Sequence, residues 1–467
     1  MKKNTRGPAK RPALRQEPIT VTIDHLNVDG IGVGRHENKE ILIAGTLPGE
    51  DVLAAIDHEG QRRIIGKLIK VLRRSRQRVT PGCKLAKNCS GCPLIHLGYR
   101  HQLDFKRGMI EDALSHYPTL GHVTVHAVWS SEETFGYRTI AKLAIAKVHG
   151  KARVGLYKRG SHQVLDIGNC PQQHPLINQI AQALREEIEK QDIYVYNPVS
   201  RRGLLRYVAI RVSPQANKAL VTLVTTERNY REMTHLAKWL KKKVPQIIGV
   251  HQNINASTGN VIFGSTTVKV IGAGDLIDQV GDIRLRLSPT SFFQVNNRQA
   301  ARIYAQVQSW ADLGPKDTAV DLYCGVGGIA MHLATSGAKV TGIEINEDAI
   351  FNAKAAAELN ELGNCRFIVG DAGEILHDMQ RELSPLKVAV VNPPRGGCSE
   401  EIIATLGQLR PQTLIYVSCN PYSLGRDLHL LTQQGFTVEE LQPVDMFPQT
   451  AHVESVVRLR MDNSEKV

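Results

Sequence analysis

The sequence predicts a multidomain protein. We expect a small N-terminal β-barrel of the oligonucleotide-binding (OB) type, a central α+β domain with a cysteine-ligated cluster, and a C-terminal α/β domain with a doubly wound sheet. Three observations predict this fold class. Short strand-like runs with turn residues fill residues 18–72, four cysteines have positions suited to one metal site, and strands alternate with helices over residues 317–460.

The formal net charge of +13 on 467 residues points to a polyanionic partner, and nucleic acid is the first candidate. The charge is clustered, with a basic arm at residues 1–16 that we expect to be disordered and a second cluster at residues 73–78. Charge kept only for solubility is the alternative, and the clustering disfavours it. No apolar run follows the basic N-terminus, and no stretch of about 18 apolar residues occurs, so we expect a cytoplasmic protein without membrane contact.

The predicted barrel covers residues 17–76. Its strand-like apolar runs are separated by glycines or by a Pro-Gly turn and lie at residues 19–23, 41–43, 52–56 and 64–72. This arrangement resembles the TRAM domain, an RNA-binding barrel found on RNA-modifying enzymes. The resemblance implies that the barrel and the basic arm hold an RNA backbone by charge.

A cysteine group opens the central domain, which we assign to residues 77–286. Cys83, Cys89 and Cys92 follow the spacing C-x5-C-x2-C, and Cys170 comes much later. Four thiolates that converge on one point suit an iron–sulfur cluster or a zinc ion, and the spacing leaves both open. Reduced core cysteines are the alternative, although three this close together fit that reading poorly.

Regular alternation of strands and helices marks the C-terminal domain, residues 287–467. The strands that we expect lie at residues 318–323, 339–345, 366–369, 388–391, 414–418, 437–441 and 455–459. This alternation is typical of a doubly wound parallel sheet, which binds ligands at the carboxyl ends of its strands.

A glycine-rich turn follows the first of these strands and starts at Asp321. Glycines there let a ligand approach the backbone closely, and Glu344, which is 23 residues further on at the end of the second strand, can accept hydrogen bonds from ribose hydroxyls. Such a crevice serves S-adenosylmethionine and dinucleotides alike. The acid at the first strand end and Asp371 at the third favour the methyl donor. The alternative is that both aspartates only cap helices.

Two further strand ends carry side chains suited to chemistry. The fourth strand leads into Asn392-Pro393-Pro394, whose carbonyls and amide can fix a planar polar group, unless the loop is merely proline-stiffened. The fifth leads into Cys419, where a helix N-terminus should lower the pKa of the thiol. A thiolate that attacks carbon 6 of uracil makes carbon 5 nucleophilic enough to take a methyl group. A base must then remove the carbon 5 proton, and Glu454 is the candidate.

Several long motifs resemble the RNA uracil-C5 methyltransferase family. The resemblance is greatest to its 23S ribosomal RNA branch, whose members combine a TRAM domain, an iron–sulfur cluster and a class I methyltransferase domain. The match runs across nearly the whole chain. Its motifs are Ser288-Pro289-Thr290-Ser291-Phe292-Phe293-Gln294-Val295-Asn296, Ser418-Cys419-Asn420-Pro421, Asp445-Met446-Phe447-Pro448 and Thr450-Ala451-His452-Val453-Glu454.

The resemblance implies a role for each candidate residue. Cys419 would be the nucleophile and Glu454 the base. The residues around the cofactor and the target base would be Gln294, Tyr323, Gly328, Glu344, Asp371 and Asn392. Some relatives have an acid where this chain has Asn392 and an asparagine where it has Gly328, which leaves these two positions open.

The same resemblance implies a [4Fe–4S] cluster with Cys83, Cys89, Cys92 and Cys170 as its ligands, zinc being the alternative. Phe292 could stack on the target uridine or on a flipped neighbour, as aromatic side chains do in single-stranded RNA recognition, or it could be a core residue.

The predicted function is therefore methylation of carbon 5 of a uridine in 23S ribosomal RNA by S-adenosylmethionine, with the uridine flipped into the site. No obligate protein partner is evident. The alternatives are the same chemistry on transfer RNA, a non-catalytic metal-containing RNA-binding protein, and a nicotinamide-dependent oxidoreductase. A pure binding protein has no use for the Cys419 and Glu454 pair, and an oxidoreductase leaves the barrel, the basic charge and the Ser-Cys-Asn-Pro element unexplained.

Overall fold

The computed structural model describes residues 17–158, 161, 163–259 and 261–462. The predicted basic arm at residues 1–16 lies outside the described residues. The chain divides into two compact units, one made of residues up to 81 together with residues 93–98, the other of residues 82–92 and everything from residue 99 onward.

Five strands make up the first unit: β1 (Ile19–Leu26), β2 (Gly32–His36), β3 (Lys39–Ile43), β4 (Asp51–Glu59) and β5 (Arg63–Arg73). They close into a barrel in the order β1-β2-β3-β5-β4, in which β3 and β5 are parallel and the other pairs are antiparallel. Apolar side chains from alternate positions, such as Val21 and Ile23, fill its interior. The predicted small N-terminal barrel is confirmed.

The second unit begins with a helix and a seven-stranded sheet. Its elements are α1 (Tyr99–Ser115), β6 (Ile140–Val148), β7 (Lys151–Tyr157), β8 (Val164–Asp166), α2 (Pro175–Lys190), β9 (Leu205–Ser213), β10 (Lys218–Thr225), α3 (Tyr230–Lys243), β11 (Ile247–Ile254) and β12 (Thr266–Gly272). The sheet order is β12-β11-β10-β9-β6-β7-β8. Helices α2 and α3 cover one face, because their apolar stripes and the alternate residues of the strands share one core.

A hairpin and a second seven-stranded sheet complete the unit. The elements are β13 (Leu276–Val280), β14 (Ile283–Leu287), α4 (Asn297–Ala311), β15 (Thr318–Leu322), α5 (Gly328–Ala334), β16 (Lys339–Glu344), α6 (Glu347–Leu359), β17 (Cys365–Val369), α7 (Ala372–Asp378), α8 (Gln380–Leu383), β18 (Val388–Val391), α9 (Glu400–Leu409), β19 (Thr413–Ser418), α10 (Pro421–Gln433), β20 (Phe436–Val444) and β21 (Glu454–Met461).

This second sheet has the order β17-β16-β15-β18-β19-β21-β20, with six strands that run in one direction and β21 antiparallel between β19 and β20. The strands predicted in this region are confirmed to within one or two residues, except that β20 continues to Val444. Helices α4, α5 and α6 pack on one face and α7, α9 and α10 on the other. The predicted doubly wound sheet is thereby confirmed.

The N-terminal part of the second unit also contributes to this C-terminal core. Ile110 and Leu114 of α1 pack among the side chains of α10 and the sheet. Val125 and Trp129 form parallel bridges to Leu441 and Val444 at the edge strand β20. In the part of the chain that the structure describes, no helix has both the length and the apolar character needed to cross a membrane.

Candidate active site

The carboxyl ends of the parallel strands β17, β16, β15, β18 and β19 meet at one edge of the sheet. Five of the predicted residues lie at or next to these ends: Tyr323, Glu344, Asp371, Asn392 and Cys419. Parallel strands bring their carboxyl ends together whatever the length of the helices between them. The topology therefore gathers residues that are up to about a hundred positions apart in the sequence.

The turn after β15 has the open backbone that the glycine pattern predicts. Tyr323, Gly325 and Gly327 all have positive φ, at 62°, 54° and 81°. A Cβ on Gly325 would meet nothing within 4 Å, so the space above this residue is open. Glu344 holds the turn, since its Oε2 accepts from the N–H of Gly325 at 3.1 Å. The turn thus has the free space and exposed backbone that suit a nucleotide-like cofactor.

Asp321, at the end of β15, is fully buried and has one carboxylate oxygen to spare. Its Oδ2 accepts from the N–H of Ala330 in α5 at 2.9 Å, whereas Oδ1 has no partner among the described residues. The pKa of this carboxyl is raised to about 8, first by burial and then by the charge of Glu344, against the hydrogen bond from Ala330 that lowers it. Asp321 therefore ties β15 to α5. The alternative that this aspartate serves the start of a helix thus holds in part.

Asp371 is the N-cap of α7. Its Oδ1 accepts from the N–H groups of Gly373 and Glu374, at 2.8 and 3.3 Å. These bonds satisfy donors of the first helical turn that would otherwise lack a partner. The helix-capping role, which the sequence offered only as an alternative, is thus present in the structure.

Gly328 begins α5 directly beneath Tyr304. A Cβ at Gly328 would lie 3.0 Å from the ring and from the hydroxyl of Tyr304, which is 6% exposed. Glycine at this position lets the buried phenol approach the backbone. A larger side chain such as asparagine at this position would need the tyrosine to move.

The residues between β14 and α4 carry two more candidates. Gln294 is buried at 9% exposure, while Phe292 is 79% exposed. The alternative that Phe292 is a core residue is therefore wrong. Asn392 follows β18, and its N–H donates to the Leu322 carbonyl at 3.3 Å.

Cys419 and Glu454 are brought together by the register of two antiparallel strands. Ser418, the last residue of β19, pairs with Ser455 of β21. The next step of the same register sets Cys419 opposite Glu454, which is the first residue of β21. Side chains 35 positions apart in sequence thus share one spot on the sheet edge.

The electrostatics of this pair differ from the sequence-based expectation. The pKa of the Cys419 thiol is raised rather than lowered, first by burial and then by the charge of Glu454. Although Asn420 caps α10 directly after it, the helix terminus does not outweigh desolvation. Glu454 is itself buried, which raises its pKa to about 8, and its Oε2 has no hydrogen-bond partner in the described chain.

Arg395 is the cation beside this pair, and the sequence analysis gave it no role. Its guanidinium hydrogen-bonds the Cys419 thiol and lowers the pKa of both Cys419 and Glu454. The Arg395 carbonyl accepts from the Asn420 side chain at 2.9 Å, which joins the two loops. The signal was available, because Arg395 directly follows the Asn-Pro-Pro run that leaves β18.

Helix α1 holds the segment that leads to Glu454. Lys106 and Asp445 form a fully buried ion pair, and Lys106 Nζ also donates to the Phe447 carbonyl at 3.1 Å. The hydroxyl of Tyr99 donates to Asp445 Oδ2 at 2.8 Å, and Gln102 accepts from the N–H of Gln449 at 2.9 Å. Three side chains of one helix therefore hold the segment that lies five to nine residues before the carboxylate.

The predicted metal ligands are near one another as thiols. Burial raises the pKa of Cys92 to about 12, and Cys170 and Cys89 add to the effect. Cys170 is likewise raised by burial and then by Cys89 and Cys83. Within residues 17–158, 161, 163–259 and 261–462, however, no three His, Cys, Asp or Glu side chains are arranged so that they could hold a metal ion.

Comparison with known proteins decides the family. A family model described as tRNA (uracil-5-)-methyltransferase matches residues 98–462. The chain belongs to this family. An uncharacterized RNA methyltransferase of Geobacter sulfurreducens is 42% identical over 97% of this chain and 91% of its own length. Another from Clostridium acetobutylicum is 33% identical over 96% and 98%.

A solved structure of a family relative covers almost the whole molecule. The Pyrococcus abyssi tRNA (uracil-54, C5)-methyltransferase, in complex with S-adenosyl-L-homocysteine, is 28% identical, with a TM-score of 0.76 over 94% of this chain and 99% of that one. The predicted class I methyltransferase fold with a small N-terminal barrel is confirmed. The chain is an RNA methyltransferase of a family that methylates carbon 5 of uracil with S-adenosylmethionine.

Proposed function

We propose that this protein methylates carbon 5 of a uridine in 23S ribosomal RNA, with Cys419 as the nucleophile and Glu454 as the base. One observation carries the chemistry: the β19–β21 register sets a thiol and a carboxylate side by side at the ligand-binding edge of the sheet. A pure RNA-binding protein has no need of this pair.

The reaction begins with the Cys419 sulfur. As a thiolate it attacks carbon 6 of the uracil, and the electrons of the 5,6 double bond move toward oxygen 4 as an enolate. S-adenosylmethionine supplies the electrophilic methyl group that carbon 5 then takes. Glu454 removes the proton from carbon 5, the double bond reforms, and the carbon–sulfur bond breaks to release the thiolate.

The residues around the pair fit these steps. Arg395 favours the thiolate, because it hydrogen-bonds the Cys419 sulfur and lowers the pKa of the thiol. With a pKa of about 8, Glu454 is a stronger base than an exposed carboxylate once it has lost its proton. We propose that Tyr323, Glu344 and the glycine turn hold the methyl donor, with Gly328 and Asp371 nearby. Gln294 and Asn392 would line the same cofactor and base pocket, and the exposed Phe292 would stack on the target base or on a neighbour.

Two variants test the chemistry. Cys419→Ala should abolish transfer of labelled methyl groups to RNA, since no covalent attack on carbon 6 can occur. Glu454→Gln should accumulate a covalent protein–RNA adduct that is visible by denaturing electrophoresis, because methylation proceeds and elimination does not. Full turnover by the alanine variant, or a glutamine variant that turns over without an adduct, contradicts the assignment.

The choice of RNA is tested separately. The cysteine group favours ribosomal RNA. The sequence motifs resemble the ribosomal RNA branch of the family, and the members of that branch carry an iron–sulfur cluster. Transfer RNA is the second candidate, favoured by the likeness to the Pyrococcus abyssi enzyme. Unmodified 23S and transfer RNA transcripts, offered together in limiting amounts, should show methylation of the 23S transcript. Label in the transfer RNA alone would establish the second candidate instead.

We further propose that Cys83, Cys89, Cys92 and Cys170 hold a [4Fe–4S] cluster, with zinc as the alternative. Cys89 raises the pKa of both Cys92 and Cys170, and Cys83 also raises that of Cys170, so the four thiols lie near one another, which supports a common site. Protein prepared without oxygen should be brown and contain four irons for each chain. Colourless protein with one zinc establishes the alternative, and Cys92→Ser should lower the metal content in either case.

The remaining parts follow from this substrate. We propose that residues 17–76 are a TRAM-like barrel that binds the RNA backbone, residues 77–286 the cluster-bearing central domain, and residues 287–467 the methyltransferase domain. The enzyme would work in the cytoplasm, where ribosomal RNA is made.

A further inference from the structure

The face of the central sheet opposite α2 and α3 carries two cations on neighbouring strands. Ile140 of β6 pairs with Arg211 of β9, and Lys142 pairs with Ala209. Lys142 and Arg211 are thus diagonal neighbours on the same face, at a separation of about 7–8 Å between their backbones.

Arg211 is a buried cation with unused donors. It is 7% exposed, and its Nη2 donates to the carbonyl of Ser291. Its Nε and Nη1 have no hydrogen-bond partner among the described residues. The nearest acid is Asp278, whose oxygens accept from Asn297 Nδ2 at 2.6 Å and from the Gln279 N–H at 3.0 Å. Unused donors on a buried charge are costly and call for an anion or a polar partner.

Lys142 adds an accessible cation to the buried one. Lys142 is exposed, and its ammonium lies 4.8 Å from the centre of the Phe263 ring. No carboxylate among the described residues lies within ion-pair distance of it. Burial of its stem and the charge of Arg211 both lower its pKa. An anion at this point would relieve the repulsion between the two cations and would gain contacts with both.

The cation pair adjoins the segment that carries the exposed aromatic residue. Lys142, Arg211, Phe263 and Pro289 line one small cavity. Pro289 and the Ser291 carbonyl that Arg211 holds come immediately before Phe292 in the sequence. The site therefore adjoins the segment proposed to stack on a base.

We infer that Lys142 and Arg211 form a phosphate-binding site for the RNA backbone next to the target uridine. This rests on the proposed function. Lys142 contacts the phosphate directly, and Arg211 supplies a second charge from beneath while it holds the Ser291 carbonyl. Such a contact fixes the register of the strand and carries no sequence information.

Salt dependence of RNA binding tests the site. The probe is a fluorescent single-stranded oligouridylate, and anisotropy gives Kd over a series of KCl concentrations. Lys142→Ala should weaken binding and reduce the slope of log Kd against log salt by about 0.7, the value for one lost contact to a single strand. Lys218→Ala, an exposed lysine at the start of β10 in the same sheet, is the matched control and should keep the wild-type slope.

A second variant and a protection measurement separate the possible outcomes. Arg211→Lys keeps the charge but loses the bond geometry, and it should weaken binding with a smaller change in slope than Lys142→Ala. Equal slopes for wild type, Lys142→Ala and Lys218→Ala overturn the inference. Protection of Lys142 from acetylation by inorganic phosphate but not by the oligouridylate overturns it too, because the site then takes a free anion. Methyl transfer by the wild-type protein is measured in parallel, so failure of this site is distinct from failure of the proposed function.

Discussion

At the scale of single residues, the site is governed by burial rather than by the helix terminus. The sequence places Cys419 at a strand end before a helix, and from that position alone a lowered thiol pKa follows. In the fold, desolvation and the neighbouring Glu454 raise this pKa instead. The side chain that lowers it is that of Arg395, which comes from a different strand end. The balance among these three side chains therefore decides when the nucleophile is charged.

Removal of the Arg395 charge should make Cys419 less reactive. We expect Arg395→Gln to move the pH profile for alkylation of Cys419 by iodoacetamide to higher pH, because the thiolate loses its hydrogen bond and its counter-charge. Arg395→Lys should lie between this variant and wild type. Mass spectrometry of the Cys419 peptide gives the rate at each pH. Arg381→Gln, at an exposed position, is the control, and an unchanged profile in Arg395→Gln would remove Arg395 from the site.

Glu454 should make stability depend on pH in a defined direction. Burial raises its pKa from 4.5 to about 8, so the folded chain keeps a proton that the unfolded chain releases. The stability that this proton contributes is fully present below about pH 4.5 and is lost as pH rises through about 8. It amounts to about 1.4 kcal/mol for each unit of difference between the folded and unfolded pKa. Glu454→Gln lacks this titration.

Urea unfolding across this range checks the direction. Wild type should lose stability relative to Glu454→Gln as pH rises, and the exposed Glu358→Gln should follow wild type. A constant difference between wild type and Glu454→Gln would mean that the carboxyl does not titrate abnormally.

At the scale of elements, the glycine turn and the β19–β21 pair hold the two halves of the site. The glycine pattern predicts the turn, because positive φ and close approach leave few other residues possible. Gly327 has φ of 81°, and a Cβ there would lie 2.7 Å from the Phe367 ring. The pairing of β21 between β19 and β20 is less accessible to sequence reasoning, since antiparallel insertion is set by contacts among distant strands.

Three glycine-to-alanine variants should differ in how much stability they lose, in the order of the backbone strain and steric clash at each glycine. Gly363→Ala, with open space around it, should cost little. Gly325→Ala should lose about 1–2 kcal/mol of stability, because the residue has a positive φ. Gly327→Ala adds a clash with Phe367, for about 1–3 kcal/mol more, and should also weaken S-adenosylmethionine binding. Urea unfolding and calorimetric titration measure both effects, and equal losses at Gly325 and Gly327 would contradict the assigned clash.

At the scale of the whole molecule, the sequence predicts the architecture and misses how its parts depend on one another. Periodicity and turn residues predict the barrel and the doubly wound sheet, because both patterns are local. The strand-end positions of Glu344 and Cys419 follow from the same patterns. The packing of α1 into the C-terminal core, and the ion pair between Lys106 and Asp445, join residues 339 positions apart, and no local pattern carries such contacts.

Loss of the Lys106 ammonium should destabilise the whole second unit. Lys106→Met leaves the Asp445 carboxylate buried without its cation, at a cost of about 3–5 kcal/mol. The second substitution Asp445→Asn removes that charge, and the double variant should recover part of the loss. Urea unfolding gives both values. If Lys106→Met is as stable as wild type, the pair does not hold the segment that leads to Glu454.

The register between Ser418 and Ser455 also constrains how this protein can change over generations. Side chains alternate between the faces of a strand, so one residue inserted between Glu454 and Ser455 would move the carboxylate from the position opposite Cys419 and turn it to the other face. Changes of length there should therefore be far less tolerated than substitutions. Surface turns elsewhere can grow or shrink freely, whereas a change of length at the start of β21 would separate the nucleophile from the base.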